Sequence, residues 1–462
     1  MPLHARLGGI HLNYVGTARP IHDAKGKATG YTKYAGDFSL PNMAYLRMLH
    51  STIPHGYVKA VHAEKALALP GVYGVFHCLN TTDRKYNRYR SSFDQASLPN
   101  EERAFNDYVR FVGDKIGVVA ACDQETAEKA ARLVEVEYEE LPFSIGFDDT
   151  LAGKNCLEGE TPVRDEYTLE VGEKQESTEG LIEVCSTMEL PRLHHATMET
   201  HACIADYDPY SDMLTVYCPN QAVHGIRTVL ADYLEMPESH VRVVKATMGG
   251  SFGAKQEWFL EPVAALVAKK LCHPVKLVYS RGEAMTDTIV RGAMRMSARG
   301  YYTPDGEMKE IYCDVTLDAG AYIGNAGDYV RALAGKPTRC YRIPYMHYHG
   351  QVISSNSPVS GAFRSWSAAE EALMMERQID AAAEKLGIDR LTIRLKNVAR
   401  SGEEDKKLHL SLEDIRIGDA ITLGSEKFGW DKLKAEDAAF NASQQRYRRG
   451  VGIGCGGHGN TY

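Results

Sequence analysis

The chain has 462 residues, of which 44% are hydrophobic and 25% are charged, and this composition is typical of a globular protein with a large core. Its formal net charge of −8 argues against a nucleic-acid partner, because phosphate binding requires a basic surface. The first residues lack an apolar leader, and no window approaches the ~20 apolar residues that a membrane-spanning helix needs. We therefore expect a soluble cytoplasmic protein that has no membrane partner.

Ten cysteines are scattered along the chain, and none of them forms a C-x-x-C pair. Their spacing matches neither a zinc ribbon, nor a ferredoxin, nor a disulfide scaffold. Free cysteines are commonly buried, so we interpret them as reduced thiols, mostly in the core. We expect no iron–sulfur cluster on this chain.

Residues 20–145 predict a first α/β unit with a polar excursion loop at 82–102. Its predicted elements are strands at 71–79, 115–122 and 134–140 and a helix at 123–133 that begins at Asp123. Valine and tyrosine alternate with glutamate in the last strand, which indicates one solvated face. The order strand, helix, strand resembles a βαβ unit.

A polar segment at 146–180 predicts a linker, and a second unit follows from residue 181. Its predicted elements are a hairpin at 204–220, helices at 224–236 and 368–388, strands at 240–248 and 275–281, and a further helix with Pro262 in its first turn. Gly387 is the expected cap of the helix at 368–388. The final residues, RYRRGVGIGCGGHGNTY, predict a glycine-rich apolar strand that needs a neighbour.

The stretch MGGSFGAKQ at 248–256 is the most distinctive glycine-rich motif. It is not a P-loop, because Gly249 and Gly253 are only four residues apart and Lys255 is followed by Gln256. It also lacks the G-x-G-x-x-G pattern of a dinucleotide-binding turn. Glycines allow a ligand to approach the backbone closely, and free N–H groups favour an anionic or oxo group. A tight turn without a ligand remains the alternative for this stretch taken alone.

Five segments in order resemble the molybdenum subunit of the xanthine oxidase (molybdenum hydroxylase) family. MGGSFGAKQ is similar to the family signature M-G-G-G-F-G-G-K-E. The other four are TVYCPNQ at 215–221, PVKLVYSRGEAM at 274–285, GAFRSWSAAE at 361–370 and RLKNVARSG at 394–402. Residues 34–76 resemble the hammerhead domain of the family, so the resemblance covers nearly the whole chain.

The resemblance implies an α+β fold in which an aldehyde oxidase/xanthine dehydrogenase hammerhead domain (20–145) precedes, after the linker, a molybdopterin-binding α/β domain (181–410). Residues 411–462 are interpreted as the start of a second molybdopterin-binding domain that another chain completes. Nicotinate dehydrogenase and a few other members have a molybdopterin subunit divided in this way. The second chain is expected to carry the general-base glutamate, so this chain alone is expected to be inactive.

The resemblance assigns catalytic roles to Gln221, Phe252 and Arg364. Gln221 matches the glutamine whose amide bonds an oxo ligand of molybdenum, and Arg364 matches an arginine beside the pterin. The residues implied in cofactor binding are Gln221, Gly250, Ser251, Phe252, Gly253 and Arg364. Ser251 replaces a usual glycine of the loop whose backbone amides face the metal.

Three further residues are implied in substrate binding. Trp366 replaces the family's substrate-stacking Phe or Tyr, and an indole can still stack on an aromatic ring. Gln256 replaces a glutamate of xanthine-oxidising members, and an amide cannot supply a proton, which argues against xanthine. Arg331 aligns loosely with an arginine that stabilises charge on the substrate. For Trp366 and Arg331, as for Gln221 and Arg364, a purely structural role is the alternative.

No protein ligand to the metal is expected, because the pterin dithiolene holds it in this family. His194, His195 and His201 form a cluster without the H-E-x-x-H spacing of a zinc site, which favours a structural role for them.

The resemblance implies a molybdopterin cofactor, expected as the cytosine dinucleotide form, and an aromatic or N-heteroaromatic small molecule as substrate. Electrons are expected to pass to 2Fe-2S and FAD partner subunits. Two alternatives stay open: a reductive dehydroxylase of a phenolic compound with the same cofactor, and a non-catalytic scaffold subunit that lost the chemistry.

Overall fold

The computed structural model describes residues 17–89, 99–153, 157, 161–407, 409–443 and 446–457. Residues 90–98 of the predicted excursion loop lie outside this range. Three larger sheets and the helices packed on them make up the described part of the chain, together with a short pair of two-residue strands. Within the same part, no helix combines the length and the hydropathy that crossing a bilayer requires.

A mixed sheet of seven strands joins the two predicted units. Its spatial order is β11 (Val241–Lys245), β10 (Met213–Cys218), β9 (Ala202–Asp208), β12 (Val275–Val278), β1 (Ala44–His50), β5 (Lys115–Ala121) and β3 (Val72–His77). Strand β1 runs parallel to β12, with Ala44 opposite Val275. The predicted hairpin is confirmed as the antiparallel pair of β9 and β10.

Helices cover both faces of this sheet. Helices α5 (Val223–Tyr233) and α6 (Glu261–Leu271) share one core with Val118 of β5, whereas Val119 packs with Ala130 of α3 (Gln124–Ala131). The prediction of a buried strand followed by a helix is confirmed, since the Asp123 carboxylate accepts a hydrogen bond from the Thr126 N–H at 2.7 Å.

The βαβ interpretation of this region is wrong. The strand after α3, β6 (Glu135–Glu140), belongs to a three-stranded sheet with β2 (Gly56–His62) and β4 (Tyr108–Val109), where it is antiparallel to β2. The two strands that flank α3 therefore lie in different sheets, because β6 exposes its glutamates and cannot occupy a doubly covered sheet. Helices α1 (Ala24–Thr29) and α2 (Glu64–Leu67) complete the N-terminal region.

A second sheet has the order β7 (Val163–Gly172), β15 (Tyr345–Ile353), β14 (Met308–Asp318), β13 (Ala293–Tyr302) and β8 (Ile182–Leu190). Strand β7 and helix α4 (Phe147–Leu151) lie in the segment predicted as a linker, so the linker interpretation fails for these residues. The segment looks polar because β7 is an edge strand. Tyr167, Leu169 and Val171 face the core, and the residues between them are mostly exposed.

The remaining helices lie in the C-terminal part of the described chain. They are α7 (Arg281–Asp287), α8 (Ala326–Ala334), α9 (Pro337–Cys340), α10 (Ala368–Leu386), α11 (Arg390–Asn397), α12 (Ile417–Phe428) and α13 (Trp430–Ser443), with a two-residue strand pair β16 (Glu404–Asp405) and β17 (Leu410–Ser411). Helix α7 packs through Ala284 on the core of the seven-stranded sheet, whereas α8 to α12 contribute to the core of the second sheet. The predicted long helix is confirmed as α10. Met375, Ile379 and Ala382 are fully buried on its inner face, and Gly387 caps it with φ +67°.

The glycine-rich strand predicted at the C-terminal end does not form in residues 446–457, which adopt no regular secondary structure. Ile453 and Cys455 pack instead on the core of the second sheet. A Cβ at Gly456 would lie 3.7 Å from Ala372 of α10, so the segment runs along a helix and pairs with no described strand edge. The division of the whole chain into domains stays a prediction.

Candidate functional site

The glycine-rich loop follows β11 and turns sharply through left-handed backbone conformations. Gly250 has φ +100°, Phe252 φ +54° and Gly253 φ +104°. Only glycine adopts such angles readily, which explains two of the glycines in the motif. The turn buries Ser251 and leaves the Phe252 side chain 49% exposed.

Gln221 and the loop meet at one edge of the seven-stranded sheet. Strands β10 and β11 are parallel neighbours, so the chain leaves both of them at the same edge. The Gln221 backbone N–H donates to the Lys255 carbonyl at 2.7 Å, and the Ser251 hydroxyl donates to Gln221 Oε1. The structure thus brings together the two segments that the sequence motifs single out.

A buried ion pair supports the loop from behind. Lys255 Nζ donates to Glu199 Oε2 at 2.6 Å, and the same oxygen accepts the Gly249 N–H at 2.7 Å. Burial lowers the pKa of Lys255, although Glu199 opposes this shift. Sequence reasoning missed Glu199, because it lies 56 residues before its partner and only the lysine belongs to the motif.

The segment with Arg364 lies directly against the loop. The Arg364 N–H donates to the Phe252 carbonyl at 2.8 Å, and a Cβ at Gly253 would overlap the Ala362 carbonyl oxygen. Arg291 donates to the Arg364 carbonyl at 2.7 Å and lies 4.2 Å from the centroid of the Phe363 ring. The Arg364 backbone is therefore fixed, while its exposed guanidinium contacts no acceptor among the described residues.

Trp366 lies in a strained turn of three residues. Ser365, Trp366 and Ser367 have φ values of +91°, +39° and +64°, and residues other than glycine rarely adopt such angles. Lys336 holds the turn by donating to the Trp366 carbonyl and, at 2.6 Å, to the Ser367 hydroxyl. Strain of this kind persists only where the surroundings impose it, and it is frequent at functional sites.

The Trp366 ring is half-buried between two tyrosines and touches the cores of both large sheets. Its centroid lies 6.1 Å from that of Tyr89, with the planes nearly parallel, and 5.1 Å from that of Tyr329. Trp366 and its aromatic neighbours therefore lie on the segment that also carries Arg364. The two tyrosines are not among the site residues that the sequence predicts, although Tyr329 lies two positions before Arg331.

Gln256 lies at the end of the loop and is half-buried, next to the fully buried Glu257. Glu257 Oε1 accepts the Ala362 N–H at 3.1 Å, and Oε2 has no partner in the described part of the chain. Burial raises the pKa of Glu257 to about 7, and the nearby Arg88 only partly opposes this. A carboxyl group that changes protonation near neutral pH thus supports the Arg364 segment.

The Arg331 side chain forms an ion pair with a residue of β7 and has no hydrogen bond to the glycine-rich loop in the described part of the chain. It belongs to α8, and its two terminal nitrogens donate to the Asp165 carboxylate of β7 at 2.7 and 2.8 Å. Asp165 raises the pKa of the Arg331 guanidinium. The substrate-binding role of Arg331 stays a prediction, and it competes with this structural ion pair.

The histidines of the predicted cluster contact backbone carbonyl oxygens and a hydroxyl group. His195 Nε2 and His201 Nε2 lie 2.8 and 2.9 Å from the carbonyl oxygens of Ala362 and Ala254, and burial lowers the pKa of each ring to about 4. His194 Nε2 lies 3.0 Å from the Thr288 hydroxyl. In the described residues, no three His, Cys, Asp or Glu side chains are arranged to hold a metal ion.

Several hydrogen-bond donors at the loop and on the two segments bonded to it lack acceptors in the described part of the chain. Among the described residues, nothing accepts the backbone N–H groups of residues 250–253, the Gln221 Nε2 amide or the Arg364 guanidinium. Such a set suits an oxygen-rich, negatively charged group, because backbone N–H groups and a guanidinium bind phosphate and oxo groups strongly. The residues therefore fit a phosphorylated pterin and the oxygen atoms of its metal.

Comparisons with known proteins agree with this geometry. Residues 159–398 match the molybdopterin cofactor-binding domain, and residues 29–142 match the aldehyde oxidase and xanthine dehydrogenase a/b hammerhead domain. A xanthine dehydrogenase molybdenum-binding subunit of Escherichia coli O157:H7 is 31% identical over 446 residues, which cover 94% of this chain. The chain spans 58% of the length of that relative.

Two further comparisons concern a sequence relative and a solved structure. The nicotinate dehydrogenase large molybdopterin subunit of Eubacterium barkeri is 30% identical over 384 residues, covering 82% of this chain and 88% of that protein. The crystal structure of quinoline 2-oxidoreductase from Pseudomonas putida 86 superposes with a TM-score of 0.84 at 23% identity, over 92% of this chain and 56% of the other. The structural match shows the same fold.

The hammerhead and molybdopterin-binding matches, the relatives that are at least 30% identical and the site geometry lead to one assignment: the chain belongs to the xanthine oxidase family of molybdenum hydroxylases, in its molybdenum-binding subunit.

Proposed function

We propose that this chain binds molybdopterin in a multi-subunit molybdenum hydroxylase or dehydrogenase that acts on an aromatic or N-heteroaromatic small molecule. One observation carries the proposal: the donors of residues 250–253, Gln221 and Arg364 lie on segments that are hydrogen-bonded to one another, and none of these donors has an acceptor among the described residues. When bound, the cofactor would supply the two-electron redox chemistry at a carbon atom of the substrate. The chain would supply donors for the cofactor and a surface for the substrate.

The donors would act by preorganisation. Backbone N–H groups in a fixed turn need no rearrangement to stabilise negative charge. Gln221 would donate through Nε2, because the Ser251 hydroxyl already occupies its carbonyl oxygen. Arg364 would bind an oxygen pair in its planar fork while its backbone stays fixed by Phe252 and Arg291.

The substrate class rests on Trp366. Its ring is partly accessible, is held in place by the strained turn and lies among other aromatic rings, so it offers a flat apolar surface. Gln256 would offer both a donor and an acceptor to a ring nitrogen or a carbonyl group, but no proton. Both residues suit a neutral heteroaromatic ring better than a small gas or an aliphatic aldehyde.

Partners are part of the proposal. We infer a second chain that completes the molybdopterin site and carries the general-base glutamate, with 2Fe-2S and FAD subunits that accept electrons. The relative named a large molybdopterin subunit, which this chain covers over 88% of its length, supports a divided subunit. We further propose the cytosine dinucleotide form of the cofactor and no activity of this chain alone.

The test is purification of the native complex through a tag on this chain. The expected result is near-stoichiometric molybdenum together with iron and flavin. Acid hydrolysis of the complex should in addition release CMP. Arg364→Met should lower the molybdenum content at least several-fold. Arg377→Met, an exposed arginine of α10, should leave it unchanged. A complex without molybdenum would contradict the proposal and favour a scaffold role, and turnover of a phenolic substrate only in the reductive direction would replace hydroxylation by dehydroxylation.

A further inference from the structure

Ser251 makes two hydrogen bonds that connect the loop to Gln221. Its hydroxyl donates to Gln221 Oε1 and accepts the Lys255 backbone N–H at 3.1 Å. Ser251 is buried, whereas its partner Gln221 is exposed at the site. Each of the two partners is itself fixed, since the Gln221 N–H donates to the Lys255 carbonyl at 2.7 Å.

The arrangement distinguishes the two ends of the Gln221 amide. A carboxamide has an accepting oxygen and a donating nitrogen of nearly the same size, and rotation by 180° exchanges them. The Ser251 hydroxyl accepts the Lys255 N–H and therefore turns its proton toward Gln221. Rotation of the amide would replace the accepting oxygen by a donating NH2 group, so the hydroxyl would keep the bond from the Lys255 N–H but its own proton would lose its acceptor.

We propose that Ser251 is a positioning residue that fixes the Gln221 amide with Nε2 as a donor toward an acceptor atom of the bound cofactor. This inference rests on the proposed function. The usual glycine of the family at this position has no hydroxyl, so it cannot select the amide orientation. Ser251 therefore sets the direction of the hydrogen bond in this chain, whereas the Gln221 backbone is held independently by Lys255.

The test compares four forms of the purified complex: the wild type, Ser251→Ala, Gln221→Ala and the double variant. Molybdenum per chain is measured first, and the Mo(V) electron paramagnetic resonance spectrum is then recorded during reduction with dithionite, which needs no substrate. Ser251→Thr retains the hydroxyl and serves as the conservative variant. Ser211→Ala is the matched control, because that exposed hydroxyl bonds only within the β9–β10 turn.

We expect Ser251→Ala to keep molybdenum within about two-fold of the wild type and to shift or split the Mo(V) spectrum, since one oriented hydrogen bond is lost. Ser251→Thr should restore the wild-type spectrum. In the Gln221→Ala background, Ser251→Ala should cause no further shift, because the two residues act as one unit.

Three outcomes would overturn the inference: an unchanged spectrum of Ser251→Ala, an equal shift in both backgrounds, or loss of molybdenum from Ser251→Ala while Gln221→Ala retains it. The last outcome would make Ser251 a structural residue of the loop. Failure of the proposed function looks different, because the wild-type complex would then contain no molybdenum at all, and both ideas would fall together.

Discussion

The Lys255 ammonium group lies 2.6 Å from Glu199 Oε2, and the pair is enclosed behind the loop whose outer side faces the candidate site. Only 2% of the lysine side chain and 14% of the glutamate side chain are exposed. Because Glu199 also accepts the Gly249 N–H, a single carboxylate holds both the beginning and the end of the glycine-rich turn.

Removal of Lys255 should therefore destabilise the chain more than removal of both charges. Lys255→Met leaves a largely buried carboxylate without its cation, and breaking a buried pair in this way costs about 3 kcal/mol or more. The double variant Lys255→Met/Glu199→Gln should regain part of that loss. Thermal unfolding of the full chain measures both, with Lys129→Met in an exposed pair as the control that should show no change. Equal melting temperatures for single and double variants would contradict this interpretation.

Gly253 and Gly250 should differ in their tolerance of alanine. Both have positive φ, so a side chain at either position is strained by about 1–3 kcal/mol. A Cβ at Gly253 would also overlap the Ala362 carbonyl, whereas one at Gly250 would meet the Phe252 ring at 3.2 Å, and that exposed ring can move. We expect Gly253→Ala to lose most of its molybdenum and Gly250→Ala to lose less. The reverse order would show that the contact between the loop and the Arg364 segment is unimportant.

Glu257 should make stability depend on pH. Burial raises its pKa to about 7, so the folded chain binds a proton that the unfolded chain releases near its ordinary pKa of 4.5. The contribution of Glu257 to stability is therefore fully present below pH 4.5 and is lost, by about 3 kcal/mol, as pH rises to 7. Glu257→Gln keeps an acceptor for the Ala362 N–H and removes the titration. The melting temperature of Glu257→Gln minus that of the wild type should increase progressively from pH 4.5 to 7. A difference that does not change with pH would refute the role of Glu257.

Arg331 and Asp165 should behave as one structural unit. Both terminal nitrogens of the arginine bind the carboxylate, so either Arg331→Met or Asp165→Asn removes the same contact between α8 and β7. We expect both variants to lower the melting temperature by a similar small amount and to leave the Michaelis constant for the substrate unchanged. A large rise in that constant for Arg331→Met alone would support the substrate-binding prediction for this residue.

Local patterns of the sequence predicted the parts of the fold that depend on near neighbours. The hairpin of β9 and β10 and the burial of Met375 and Ile379 in α10 follow from residues a few positions apart. The pairing of β1 with β12 does not, because Ala44 and Val275 are 231 positions apart, and no local pattern encodes that register. Strand β7 was mistaken for a linker because an edge strand needs only one apolar face.

The same division holds for the candidate site. Motifs indicated Gln221, the turn at 250–253 and Arg364, and the structure brings these segments into contact. The supports of the site, Glu199 and Lys336, were missed, because a buried partner is recognisable only once the chain is folded. Trp366 was singled out by its motif, but the left-handed turn that holds it could not be inferred from residue types that normally avoid such angles.

The seven-stranded sheet has a mechanical consequence. Its strands β3, β1 and β5 come from the hammerhead match, and β9 to β12 come from the molybdopterin-binding match, with hydrogen bonds between β1 and β12 at the seam. The boundary between the two sequence families is therefore not a hinge. If the chain were cut near residue 150, each fragment would expose a hydrogen-bonding strand edge and half of a shared core. The two fragments should reassemble with each other rather than fold separately.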